Sequence, residues 1–196
     1  MKELTKQNLS AALAGESQAN IKYLAFAAQA AKEGKPNIAR LFTAIAYAEQ
    51  SHATNHLREL GYIGDTVANL EAAIGGENFE VDVMYAAYLA TAEAQQEKGA
   101  LRTMNYAIEA EKIHSVMYGD AKKAAQAGKD MEISEVYVCP IGGWTHIGEP
   151  PNRYHPVAWM GSAVAQATRR LPTRGRLLPL LSGAALVTAG AGGAAL

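Results

Sequence analysis

The sequence predicts an all-α protein: a four-helix bundle with one long crossover, then a small non-helical segment and an irregular tail. Three observations carry this. Four stretches of helical periodicity are separated by stop signals containing Gly or Pro. The connections inside the first and second pairs are short, whereas the middle one is longer. The stretch Ala46-Tyr47-Ala48-Glu49-Gln50-Ser51-His52 also repeats in pattern as Ile108-Glu109-Ala110-Glu111-Lys112-Ile113-His114, so the two halves are related.

The first helix is expected from about Thr5 to Glu33, ending at Gly34-Lys35-Pro36, where a stop glycine precedes a proline suited to a first helical turn. The second follows from about Pro36 to Leu60 and stops at Gly61. A connection rich in turn residues runs through Gly64-Asp65 to Gly75-Gly76. The third helix is expected from near Phe79 to near Gly99, and the fourth from about Ala100 to Ala127, before Gly128. Short loops make each pair antiparallel, and the longer middle connection gives the single-crossover, ferritin-like arrangement. Residues 1–130 thus read as one bundle. Residues 134–160 carry Cys, Gly, Pro, Trp and His with no helical period, and residues 161–196 read as a low-complexity, disordered tail.

Composition excludes several classes. The chain has 196 residues, 49% of them hydrophobic, enough for one domain with a sizeable core and a small appendage. A formal net charge of -1 gives no electrostatic footprint for nucleic acid. Cys139 is the single cysteine, so no internal disulfide can form, which suits a reducing compartment. Residues Met1 to Ser10 are polar and lack a signal-peptide core, and a cytoplasmic location is expected. Residues 177–196 are uncharged and follow four arginines, but Pro179 and several glycines argue against a membrane anchor.

The chemistry lies in carboxylates on apolar faces. The inward stripe of the first helix reads Leu9, Leu13, Glu16, Asn20, Tyr23, Ala27, and that of the second reads Ile38, Phe42, Ile45, Glu49, His52. The third reads Glu80, Val83, Ala87, Ala90, Ala94, and the fourth Leu101, Met104, Ile108, Glu111, His114, Tyr118. Each helix therefore aims a glutamate at the core, and two add a histidine three residues on, on the same face. Four buried carboxylates without cations cost several kcal/mol each. Two divalent metals remove that cost. Four glutamates with two histidines form the ligand set of ferritin-like di-iron carboxylate proteins. Mixed oxygen and imidazole ligation suits iron or manganese. Glu16 and Glu49 flank Gly34 at similar distances along the chain, which puts them within ~5 Å of one height at about 1.5 Å per residue.

Other polar residues are read more blandly. A single Glu-x-x-His on a helix is usually surface decoration; it is the repetition with partner glutamates that points to metal. Glu93 and Glu97 lie about 20 Å along the helix from Glu80 and read as solvated. Glu77, one turn before Glu80, reads as a residue favouring the helix dipole rather than a ligand. His56 reads as a supporting or surface residue. Tyr23 and Tyr85 face inward, where both core packing and a hydrogen bond to a ligating carboxylate would suit them.

These motifs resemble the rubrerythrins. The resemblance covers about residues 1–160 and rests on Ala14-Gly15-Glu16-Ser17-Gln18-Ala19, Tyr47-Ala48-Glu49-Gln50-Ser51-His52, Gly76-Glu77-Asn78-Phe79-Glu80 with Met84-Tyr85, and Glu109-Ala110-Glu111-Lys112-Ile113-His114. Val136-Tyr137-Val138-Cys139-Pro140 to Gly148-Glu149-Pro150-Pro151 resembles the family's rubredoxin-like tail. The resemblance implies a cytoplasmic, non-haem di-iron peroxidase, a homodimer, that reduces hydrogen peroxide to water. It implies two iron ions held by Glu16, Glu49, Glu80, Glu111, His52 and His114, with Glu49 and Glu111 bridging; Tyr23, read from its inward place on the first helix, joins these as a candidate catalytic residue.

The chain departs from the family in two places. A further glutamate is expected three residues after the one matching Glu80, and that position is Val83. The two Cys-Pro-x-Cys-Gly knuckles read Cys139-Pro140-Ile141-Gly142-Gly143 and His155-Pro156-Val157-Ala158-Trp159, so the four-thiolate iron site is expected to be absent and the tail largely unfolded. Electrons would then come from an external donor protein such as a rubredoxin. Two other readings follow from the same departures: a ferroxidase or iron-binding protein that oxidises Fe(II) with oxygen, and an inactive metal-stabilised bundle.

Overall fold

In the computed structural model, residues 1–148 and the strand Arg169–Arg170 are described. They fall into two compact units, one of Met1–Ile63 and one beginning at Gly64.

The first unit is a helical hairpin of α1 (Glu3–Lys32) and α2 (Pro36–Glu59). Gly34 takes φ +73, a left-handed conformation that glycine adopts without a Cβ clash. Its N–H and that of Lys35 close onto the carbonyls of Ala31 and Ala30, at 3.0 and 2.9 Å, and so satisfy the end of α1. Pro36 then opens α2 in its first turn. The two helices meet through small side chains: Ala27, Ala30, Ala39, Ala46 and Ala53 are buried, and Ala46 is 0% exposed. That close approach lets the Asn20 amide donate to the Ala46 carbonyl at 2.7 Å.

The second unit begins with a well-formed cap. The Asp65 carboxylate accepts from the Ala68 N–H at 2.8 Å and starts α3 (Thr66–Phe79). The helix therefore starts thirteen residues earlier than the sequence suggested. Gly75-Gly76 reads as a turn, but each mid-helix glycine costs only about 1 kcal/mol, which packing along the next helix offsets. The helical path continues as a π-helical segment (Glu80–Met84) and then α4 (Tyr85–Ala94). Gln96, at φ +58, turns the chain into α5 (Lys98–Gln126), against which α3 and α4 both pack.

Beyond α5 lies a hairpin of β1 (Val136–Val138) and β2 (Thr145–Ile147), antiparallel with Tyr137 opposite His146. A two-residue strand, β3 (Arg169–Arg170), pairs with the other edge of β1. The turn is closed by Cys139 N–H donating to the Trp144 carbonyl at 2.8 Å and Gly143 N–H donating to the Cys139 carbonyl at 2.9 Å. Tyr137, Cys139 and Trp144 are buried, and Trp144 stacks on His146 with centroids 5.5 Å apart. The expectation of a largely unfolded tail is thus corrected for residues 136–147: strand pairing and an apolar cluster hold the hairpin. His155–Trp159 and most of residues 161–196 lie outside the described residues, as does the 177–196 run. Among the described residues, no helix is long and apolar enough to cross a membrane.

The all-α, four-helix class is the one expected, with α3, the π-helical segment and α4 forming the third long helical path.

Candidate metal centre

Each unit gathers one trio of metal-ligating side chains. In the first, α1 contributes Glu16 and α2 contributes Glu49 and His52, each with one ligand atom within 4.8 Å of the others. His52 Nδ1 lies 3.0 Å from Glu49 Oε2 and 3.8 Å from Glu16 Oε2. The i,i+3 spacing on α2 brings Glu49 and His52 to one face, and the hairpin brings Glu16 opposite them. Tyr23 lies two turns further along α1 than Glu16, in an aromatic cluster, its ring centroid 6.2 Å from those of Phe26 and Phe42. Its place is thus in the packing of the hairpin.

In the second unit the trio is Glu77, Glu111 and His114. Glu111 and His114 stand one turn apart on α5, with His114 Nδ1 2.6 Å from Glu111 Oε2. Glu77 comes from α3. Alongside it, the Ser115 hydroxyl donates to the Asn78 side-chain oxygen at 2.6 Å and ties α3 to α5. Burial, a hydrogen bond to Glu111 and the Glu111 charge push the Glu77 carboxyl up to about 7. Glu80, one turn on and at the start of the π-helical segment, is pushed up by burial and by the Glu111 charge. Burial, then the Glu80 and Glu111 charges, raises the Tyr85 phenol.

This electrostatic pattern fits a cation. His114 Nε2 faces the Thr145 hydroxyl at 2.9 Å. With the ring proton on that side, Nδ1 and the Glu111 carboxylate would be two lone-pair bearers 2.6 Å apart. Such a contact needs a proton or a metal between them. Burial first, and the nearby Glu111 charge after it, disfavour the charged forms of Glu77 and Glu80.

Glu16, Glu49, His52, Glu111 and His114, the residues singled out in the sequence, fall in these two groups together with Glu77, and Glu80 stands one turn from Glu77. The late helix start hid Glu77. With α3 beginning at Thr66, Glu77 is a mid-helix residue rather than a helix-start residue, and Glu77-x-x-Glu80 was the signal available. Val83 is 54% exposed. Glu93 and Glu97 are exposed as expected, and His56 is outside the trio.

Two helical pairs, each presenting glutamates and one histidine, define a di-iron carboxylate protein of the ferritin-like class. The rubrerythrin family model matches residues 7–122. Rubrerythrin-2 of Clostridium acetobutylicum is 44% identical over 160 residues, covering 74% of this chain and 87% of that protein. Nigerythrin of Nitratidesulfovibrio vulgaris is 36% identical over 159 residues, covering 74% and 77%. A solved structure of nigerythrin in a partially reduced state is 28% identical, covers 85% of this chain and 86% of that one, and superposes with a TM-score of 0.49. The chain belongs to the rubrerythrin family, and each of its two trios offers the carboxylate and imidazole ligands of a di-iron protein of that type.

Proposed function

We propose that this protein is a cytoplasmic di-iron peroxidase, acting as a homodimer, that reduces hydrogen peroxide to water with electrons from an external donor protein. The observation that carries the reading is the pair of matched trios, Glu16–Glu49–His52 and Glu77–Glu111–His114. Family membership then selects the chemistry. Bound iron would supply the two electrons for H2O2 + 2 H+ + 2 e− → 2 H2O, each of two ferrous ions giving up one.

The chain's own groups do the rest. Glu16, Glu49, Glu77 and Glu111 offer carboxylate oxygens, and His52 and His114 offer Nδ1. Glu80 lies one turn after Glu77, so it supplies the further carboxylate that the family carries three residues on. Counted from Glu77 rather than from Glu80, that position is filled and Val83 is not a lost ligand. The Tyr85 phenol keeps its proton close to the acidic cluster and stands ready to hydrogen-bond a carboxylate oxygen there. Tyr23 packs the first unit. One cysteine in the whole sequence offers one thiolate, which is why the electrons are assigned to an external rubredoxin-type protein.

Anaerobic loading of the apo-protein with Fe(II), followed by separate mixing with hydrogen peroxide and with oxygen, tests the reading. Faster oxidation by peroxide is expected. Oxidation preferring oxygen would establish the ferroxidase reading instead. Iron that binds but is oxidised slowly by both would leave a metal-stabilised bundle, and no iron uptake would remove the centre itself.

A further inference from the structure

The hairpin that follows α5 has lost the thiolates of an electron-relay site, yet it is folded and sits on α5 within the second unit. Its turn lies along one stripe of that helix: Tyr106, Ala110 and His114, spaced by four residues. Two glycines of the turn face that stripe. A Cβ on Gly142 would lie 3.5 Å from Tyr106 Cβ, and one on Gly143 would lie 3.9 Å from Ala110 Cβ. Gly143 has φ +74, which a side chain would strain. Ala110 beneath the turn is 2% exposed. At the end of the stripe the Thr145 hydroxyl reaches the His114 ring, with Oγ1 2.9 Å from Nε2.

The direction of that hydrogen bond follows from its neighbour. Thr145 Oγ1 donates its proton to the Gly143 carbonyl at 3.1 Å. The hydroxyl is then an acceptor toward His114, so the imidazole carries its proton on Nε2. That leaves the Nδ1 lone pair directed at the Glu111 side, where a metal would bind.

We infer that Thr145 is a positioning residue for the metal centre: the hairpin's Thr145–Gly143 relay holds His114 in the Nε2–H tautomer and fixes its ring orientation. The hairpin thereby serves as a clamp on a metal ligand and needs no iron of its own. Outer partners of metal-bound histidines commonly set tautomer and ring orientation, and their loss costs about 10- to 100-fold in metal affinity or activity. The inference rests on His114 being a metal ligand.

The test uses the full chain as wild type, Thr145→Val and Thr145→Ser. Val keeps the shape and strand preference of Thr but offers no acceptor; Ser keeps the hydroxyl. Binding is read by Co(II) titration against a competing chelator, and the ring state by nitrogen-15 NMR of the histidines in protein loaded with diamagnetic Zn(II). Thr145→Val should weaken one Co(II) equivalent about 10- to 100-fold while leaving the other unchanged. It should also move the His114 Nε2–H signal toward that of an imidazole N–H without a hydrogen-bond acceptor. Thr145→Ser should restore both toward wild type. Equal Co(II) affinity in wild type and Thr145→Val overturns the inference, and so does a Ser variant as weak as Val, which would assign the effect to packing. Wild-type protein that takes up no Co(II) and no Fe(II) instead overturns the metal-centre reading on which the inference depends.

Discussion

Glu77 gives a test in which protein stability and metal binding should move in opposite directions. Its carboxyl rises from the ordinary 4.5 to about 7 in the folded protein, driven first by burial and then by Glu111. For an acid with a raised folded pKa, the folded state holds a proton that the unfolded chain has released. Between pH 4.5 and about 7 the unfolded state therefore binds fewer protons, and stability falls as pH rises through that window. At 1.36 kcal/mol per pKa unit the full difference corresponds to ~3 kcal/mol. Glu77 is only partly buried, and solvent screening reduces this to roughly 1 kcal/mol. Glu77→Gln stays neutral and keeps a hydrogen-bond donor toward Glu111. Urea unfolding of chelator-treated protein is the assay. Near pH 5 the two proteins should be about equal. Near pH 7.5 the variant should be more stable by roughly 1 kcal/mol. In the presence of Fe(II) the order should reverse, because the variant lacks a carboxylate ligand. A stability difference independent of pH, or a variant less stable than wild type at pH 7.5 without metal, would refute the assignment of Glu77 to the repelling cluster.

Two further predictions address the elements that place the second trio. Asp65→Ala removes the side-chain acceptor for the Ala68 N–H and should cost about 1 kcal/mol, read as a lower urea midpoint, with the far-ultraviolet helix signal otherwise retained. Val83→Glu places a carboxylate on an exposed position of the π-helical segment, and it should change neither iron stoichiometry nor the rate of oxidation by peroxide, measured by stopped-flow absorbance. A marked rise in that rate would return Val83 to the role of a missing ligand.

Much of the centre was legible because its residues break the pattern around them. Glu16, Glu49, His52, Glu111 and His114 are polar residues on otherwise apolar stripes, and the repeat between Ala46–His52 and Ile108–His114 marks them as a set. The third helix was read less well, for two physical reasons. Gly75-Gly76 is a strong local turn signal, but helix continuation is decided by packing along α5 and by the Asp65 cap, both invisible to a local reading. The π-helical segment Glu80–Met84 also departs from the i→i−4 ladder. Projecting a regular 3.6-residue period from Glu80 therefore carries the stripe to Val83, whereas the structure leaves Val83 exposed and brings Glu77 to Glu111. Segments of this kind recur at functional sites, since they re-aim side chains at the cost of weaker local hydrogen bonding. Here the irregularity begins at Glu80, one turn from Glu77, on a helical path that lacks the Glu-x-x-His pattern of the other residues. The hairpin was misjudged for a related reason. Counting thiolates measures its capacity for iron, but its fold rests on strand pairing and on buried Tyr137, Cys139 and Trp144. A segment with a single cysteine therefore keeps a physical reason to stay folded, in its strand pairing and its own buried cluster.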